Sequence, residues 1–313
     1  MTLLAKLSFW RARRVVIVSD ASPPALYLHR LLHELGAKPV LIGTDAGAHA
    51  LNLALTAGRV SAVIVPKAHG LSPDCDPAAH IAALSALMCE AREAGVPQVV
   101  LCSDAPVYTK PFAREEDPLG GMTQEGFIQA VCQLYARGFG YGFLGDGIGT
   151  LVLRHMPCLG SGSACTQQYT RWCQQLLDGL NPEVTQPGMQ GVFLHPLDVA
   201  CAILLLGAAA YGRPYAACNI AAGSANMMAN RSAAARLARR IPDARPLRET
   251  AADAPPFFPL DASPASSECR CLISGDDALF QLYALEQALR QGTGIQEIER
   301  QTRSYLQSMP SHA

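Results

Sequence analysis

Residues 15 to 26 read Val-Val-Ile-Val-Ser-Asp-Ala-Ser-Pro-Pro-Ala-Leu. The run Val15 to Val18 makes a buried strand, and Ser22 followed by Pro23 suits the cap and first position of a helix. A strand turning straight into a helix near the head of a chain is where a dinucleotide-binding fold cradles a pyrophosphate, because first-turn N–H groups point at the anion. Such a cradle needs small residues at the turn and unblocked amide donors. Here the turn holds no glycine, and Pro23 and Pro24 have no N–H to offer. The scaffold of a nucleotide enzyme is present with its anion site closed.

Outward from this stretch, strand-like runs recur at residues 14–18, 39–42, 62–65 and 98–102, separated by helix-like segments at 25–35 and 77–94. Gly36 and Gly95 supply the expected helix stops. This alternation predicts an α/β fold with a Rossmann-like, doubly wound parallel sheet and a smaller C-terminal substrate-type lobe. Later strands are expected at 149–154 and 192–195. Only one helix, 46–58, fits between the second strand and the strand at Ala62, so the sheet edge that normally supports adenine is trimmed. Residues 202–211 read as a buried helix. The Pro- and Ala-rich stretch 241–267, with Phe257 and Phe258, reads as an extended wrap over the second lobe or a mobile loop. Leu279, Leu282, Leu285 and Leu289 give helical spacing to 276–290, and the tail from Gly292 has room for one more helix before fraying. The expected division is an N-terminal extension (1–13), a Rossmann-like domain (14–160), a substrate-type lobe with a strand and helix returning to the main sheet (161–291), and a tail (292–313).

Composition narrows the function. Of 313 residues, 50% are apolar and 16% charged, which excludes a disordered chain and implies a large buried surface, a subunit interface included. Lys plus Arg number 25 against 26 Asp plus Glu, so the basic stripe of a nucleic-acid binder is missing. The basic spots at 11–14 and 236–240 read as solvated faces. The 11 cysteines are odd in number, lack C-x-x-C spacing and mostly lie inside apolar runs. Reduced thiols in the cytoplasm explain them better than disulfides, and no metal site is expected. Cys269-Arg-Cys271 is a local cluster whose spacing chelates poorly. The apolar residues of 1–14 form too short and broken a run for a signal peptide or a spanning helix, leaving a packed N-terminal helix or a membrane-surface contact.

The order of several further segments carries a family resemblance. These are Val99 to Tyr108 with Glu115 and Glu116 following; Leu153-Arg154 before Leu159-Gly160-Ser161-Gly162; Phe193 to His195 leading to Asp198 and Ala200; and Cys218-Asn219-Ile220 leading to Gly223. With the opening strand-turn-helix, they make residues 14 to 291 resemble the extended short-chain dehydrogenase/reductase superfamily, in its NAD-dependent epimerase/dehydratase branch that includes UDP-glucose 4-epimerase-like proteins. The resemblance implies NAD or NADP as cofactor, and the working positions then depart from it. The three fingerprint glycines fall on Ser19, Ser22 and Ala25. The acidic residue that holds the adenosine ribose falls on Gly43, with Asp45 as a nearby substitute. The catalytic Ser or Thr falls on Asp104, beside Ser103. The Tyr-x-x-x-Lys pair is expected around 121–126, where the registers give Gly121 with Glu125 or Met122 with Gly126. Losing both deletes the proton path and a cofactor contact, and general acid–base catalysis alone is worth roughly two to four orders of magnitude in rate.

Substitute chemistry has candidates at the strand ends, where open α/β sheets place their sites. The catalytic candidates are Asp104, Ser103 and Tyr108. Asp104 reads either as a base for proton abstraction or as a turn cap, and Tyr108 either as a cleft tyrosine or as packing. The cofactor-side candidates are Ser19, Ser22, Ala25, Asp45 and Lys67, with Lys67 and His69 able to attract an anion. His195, Asp198 and Arg154 read as structural. Cys158 and Cys165 flank the Gly-Ser-Gly-Ser loop, with His155 the local base for a thiol nucleophile. Gly145 to Gly149 reads as a turn and not a phosphate loop.

Two functions of different class follow. One is a noncatalytic binding or accessory subunit without a cofactor, of a nucleotide-sugar or polysaccharide system. The other is an enzyme with a re-purposed cleft, either a nucleotide-sugar epimerase or dehydratase binding NAD in an altered way or a cofactor-independent proton-transfer enzyme through Asp104. Either is compatible with a homodimer through the helix that contains 127–135, or with a heteromeric partner.

Overall fold

The computed structural model describes residues 2–67, 76–121, 123–142, 147–162, 164–250, 260–261, 269 and 271–310, the side chains of 47, 48, 104, 164 and 165 excepted. A short helix α1 (Leu3–Leu7) precedes β1 (Arg14–Val18), α2 (Pro23–Glu34), β2 (Lys38–Ile42), α3 (Gly47–Thr56), β3 (Val60–Val65), α4 (Pro77–Glu93) and β4 (Gln98–Asp104). The chain continues through α5 (Gln124–Gly140), β5 (Gly149–His155), α6 (Ala164–Leu177), β6 (Glu183–Thr185), β7 (Gln190–Val192), α7 (Pro196–Ala209) and β8 (Tyr215–Ile220). It closes with β9 (Met227–Ala229), α8 (Asn230–Arg239), β10 (Arg248–Thr250), α9 (Gly275–Arg290) and α10 (Gly294–Ser308).

Among the described residues the main sheet has the order β2-β1-β3-β4-β5-β8, with every pairing parallel. The strand order reverses between β1 and β3, which places the switch-point crevice outside the C-terminal ends of these two strands. β2 is the edge strand, and α3 alone joins it to β3. The outer strand of a full dinucleotide half-fold is therefore missing from this interval, as the spacing predicts.

Strand period two explains the layers. Val15 and Ile17 point into one core with α2, α7, α9 and α10, while Val16 and Val18 point into the other with α3, α4 and α5. α7 is apolar all round, and residues Pro196 to Gly207 are buried, because the helix lies between the sheet, α2 and the N-terminal segment. Trp10 fixes that segment: its indole Nε1 donates to the Leu204 carbonyl at 2.8 Å, and the residue has no exposed surface.

One expectation is corrected. Residues 192–195 add no strand to the main sheet: Val192 ends the short β7–β9 hairpin and His195 is already the cap of α7. The sixth strand is instead β8, a mixed sequence (Tyr-Ala-Ala-Cys-Asn-Ile) pairing along the full length of β5. The tail from Gly292 carries the one helix expected of it, α10, which runs 15 residues and packs on α2 and α9. Of the 241–267 segment, Arg248 to Thr250 pairs with β6 and Leu260 bridges to Ala113, while most of its remainder lies outside the described residues, as do Phe257 and Phe258. No helix among the described residues is long and apolar enough to cross a membrane.

Trp10→Ala removes a buried ring and leaves the Leu204 carbonyl without its donor. Urea denaturation is expected to show a loss of about 3–5 kcal/mol, and a change under about 1 kcal/mol would mean that the N-terminal segment is not docked.

Candidate functional site

The crossover from β1 to α2 is built to satisfy itself. Ser19 is buried; its N–H donates to the Ile42 carbonyl at 2.9 Å and its hydroxyl to Asp20 Oδ1 at 3.1 Å. Ser22 takes the cap position of α2 without a side-chain capping bond, and Pro23 and Pro24 fill the first two helical positions. Two amide donors that an anion would need are therefore missing from the helix start. Ala25, at the third position, is buried. Across the crevice Gly160 has φ +73°, and a methyl group there would lie 3.4 Å from both Cβ and Cγ of Pro23. The proline ring thus rests on the loop after β5.

At the crossover the described residues line a cavity of about 20 Å³, walled by Ser22, Pro24, Lys67, His155, Cys158 and Pro196 among others. That is room for about one water, against roughly 300–1,000 Å³ in sites that hold drug-sized ligands or cofactors. Asp45, the substitute for the ribose-binding acid, is exposed and folds back over its own strand end: its Oδ1 is 2.5 Å from where a Gly43 side chain would begin. Of the cofactor-side candidates, the structure brings Ser22 and Lys67 to one cavity, leaves Ser19 and Ala25 buried in the turn, and sets Asp45 apart. His69 lies outside the described residues.

The catalytic-side candidates Ser103 and Tyr108 belong to a buried polar network. Arg154 donates from Nε to Gln133 Oε1 at 2.8 Å, and from Nη1 to the Tyr108 hydroxyl at 2.6 Å and the Glu115 carbonyl at 3.0 Å. Gln133 donates to the Ser103 hydroxyl at 2.6 Å, and Tyr108 donates to Asn219 Oδ1 at 2.7 Å. The Asn219 amide donates to the Glu115 carboxylate at 2.6 Å. Ser103, Tyr108, Gln133, Arg154 and Asn219 are each at most 3% exposed. Burial pushes the Tyr108 phenol up, against the lowering by Arg154. A hydroxyl shut inside and bonded on both sides holds strands together rather than meeting substrate. The backbone of Asp104 pairs with His155 at the strand ends, and its side chain lies outside the described residues, as does that of Cys165. His155 Nδ1 lies 2.9 Å from the Met156 carbonyl.

The helix after β4 shows how tightly the region expected to hold the Tyr-x-x-x-Lys pair is packed. Thr123 caps α5 by accepting from the Gly126 N–H, so Gly121 precedes the helix; it has φ +64°, and a side chain there would run within 2.3 Å of backbone atoms of Gly126 and Phe127. A methyl group at Gly126 would lie 2.2 Å from the Pro106 carbonyl oxygen. Neither glycine can carry a side chain. Gln133 faces Ser103 and Arg154, and helical spacing of four puts Gln129 and Glu125 on the same face, progressively nearer the C-terminal strand ends. Gln129 is buried. Met122 lies outside the described residues.

No family model matches the chain, and no curated protein matches it in sequence. Solved structures do. An epimerase from the thermophilic methanogen Methanothermobacter thermautotrophicus superposes with a TM-score of 0.73 at 12% identity, over 94% of this chain and 97% of that one. UDP-glucose 4-epimerase from Brucella ovis, in complex with NAD, gives 0.69 at 16% over 90% and 99%. DesIV, a dTDP-glucose 4,6-dehydratase from Streptomyces venezuelae with NAD bound, gives 0.68 at 17% over 90% and 98%. The chain has the epimerase/dehydratase fold.

Within that fold the His195–Asp198 junction is a tie for the C-terminal helix. His195 Nδ1 accepts from the Leu197 N–H at 3.0 Å, and its ring meets Tyr27 edge-on at 5.2 Å. Tyr27 donates to Gln301 of α10. Asp198 accepts from Leu272 N at 2.9 Å, Ile273 N at 3.3 Å and the Tyr305 hydroxyl at 2.9 Å. Burial lowers the His195 imidazole to about 3 and raises the Asp198 carboxyl to about 6, the three donors to Asp198 pulling the other way. Neutral His195 stabilises the fold above its ordinary pKa of 6.5, and this contribution is lost as pH falls toward 3. Asp198 works oppositely, since the folded state binds its proton between about 6 and 3.8 and gains stability on acidification there. The two offset one another in that window. Asp198→Asn is accordingly expected to lose stability from pH 6 to pH 4 by about 1.4 kcal/mol per unit more steeply than the wild type in urea titrations; parallel curves would refute the offset.

Proposed function

We propose that the protein acts by binding, as a noncatalytic or accessory subunit that keeps the epimerase/dehydratase fold without its NAD-dependent redox chemistry. The observation that carries this reading is the crossover cavity of about 20 Å³ among the described residues, beside a helix start stripped of two amide donors by Pro23 and Pro24. The registers read for the pair, Gly121 with Glu125 and Met122 with Gly126, support it, because neither supplies a phenol or a cation for proton transfer at a nicotinamide. The burial of Ser103 and Tyr108 in the Arg154 network supports it as well. Because solved neighbours are titled for UDP- and dTDP-glucose enzymes, a nucleotide sugar is the ligand class to try.

Titration calorimetry tests the reading directly. NAD and NADP are expected to give no saturable heat even at millimolar concentration, while a nucleotide sugar remains free to bind. Micromolar binding of either dinucleotide would end the proposal.

We further propose a pairing surface on α5, where Phe127, Leu134 and Tyr141 are 50%, 54% and 50% exposed. The cysteine-rich apolar runs support a reducing compartment, the cytosol, as its location. Light scattering is expected to give a dimer for the wild type and a monomer for Leu134→Glu; a monomeric wild type rejects self-pairing, and co-purification then decides for a heteromeric partner.

A further inference from the structure

A second cleft, of about 320 Å³, lies between α9 and α10 beside the end of α8 and shares no wall residue with the crossover cavity. Its size reaches the lower range of small-molecule sites. Arg240 and Arg300 stand on its walls with Gln281, Phe280, Ser304 and Tyr305.

The polar groups of this cleft are unequally satisfied. The Gln281 Oε1 is buried and has no hydrogen-bond partner among the described residues. A buried orphan acceptor in a roomy polar cleft calls for a donor from outside the chain. Arg240 bonds only through Nη1, to the Asp276 carbonyl and Asp277 Oδ1, and its guanidinium is stacked 4.0 Å over the Phe280 ring. Arg300 bonds through Nε and Nη2 to the Glu297 carboxylate. Nε and Nη2 of Arg240 and Nη1 of Arg300 are thus left without a hydrogen bond among the described residues, and so is the Ser304 hydroxyl. Both ion pairs have an exposed arginine side, 38% and 64% respectively, and exposed pairs bind weakly enough to share their guanidinium with an incoming oxyanion. The stacking on Phe280 fixes the plane of one guanidinium and lowers the cost of ordering it.

We propose that this cleft binds a small hydroxylated organic anion, with its oxyanion on Arg240 and Arg300 and a hydroxyl donating to the Gln281 Oε1. The inference stands apart from the reading of the crossover, since no wall is shared and no dinucleotide is involved. The far wall, Tyr305 with Leu272 and Ile273, supplies the three donors to Asp198. A ligand here would therefore sit against the tie that holds α10 to α7.

Calorimetry on the full chain with glucose 6-phosphate, gluconate and glucose separates the terms. One or both anions are expected to bind saturably, and glucose at least about tenfold more weakly. Binding of the phosphate alone assigns a phosphate oxyanion, and binding of gluconate alone assigns a carboxylate. Gln281→Leu and Arg300→Gln are each expected to weaken the anion by about tenfold or more. Gln281→Leu is also expected to keep or raise the thermal midpoint of the unliganded protein, because it deletes an unsatisfied buried oxygen, so lost binding is separable from lost folding. The proposal is overturned if neither anion binds saturably, if glucose binds as tightly as the anions, or if a folded Gln281→Leu protein binds them as the wild type does.

Discussion

The contact of Pro23 with Gly160 is the constraint from which the rest of this structure follows. A helix N-terminus holds an anion through its first amide hydrogens, and α2 has none at its first two positions. The opposing loop passes the Pro23 ring at residue 160, where the left-handed backbone favours glycine. α2 packs against α7 beside the switch point, and the cavity that the described residues line there has room for about one water.

Much of the scaffold was legible in the sequence for a simple reason: strands buried on both faces read as unbroken β-branched runs. Val15 to Val18 and Val63 to Val65 announce themselves this way, and Gly36 and Gly95 mark helix stops. The missing outer strand was also legible, because too few residues separate β2 from β3. β8 was not read as a strand, because an edge strand of Tyr-Ala-Ala-Cys-Asn-Ile carries little strand preference and owes its place to its pairing with β5. The site was harder still. The start of α5 was not legible because Gly120-Gly121-Met122-Thr123 has no periodicity, and only the observed cap at Thr123 fixes where the helix begins.

Ser103 and Tyr108 show a second limit of pattern reading. Both sit at the end of β4, where open α/β sheets place chemistry, and nothing in their identity distinguishes a reacting hydroxyl from a bonded one. The difference is made by Arg154, which arrives from β5 and takes Gln133 and Tyr108 together. A buried guanidinium must have its donors satisfied or the fold bears the cost of an unpaired charge. The network exists to meet that demand, and it draws in every polar side chain within reach.

The same demand explains why Gln129 is neutral. Gln129 is buried one helical turn from Gln133, the residue that binds the Arg154 Nε. A second cation there would stand near the first, and an uncompensated buried charge costs several kcal/mol by the usual order of magnitude. A glutamine keeps the hydrogen-bonding capacity and omits the charge. The polar core balances itself from the chain's own residues, with Glu115, Gln133, Asn219 and Tyr108 around Arg154.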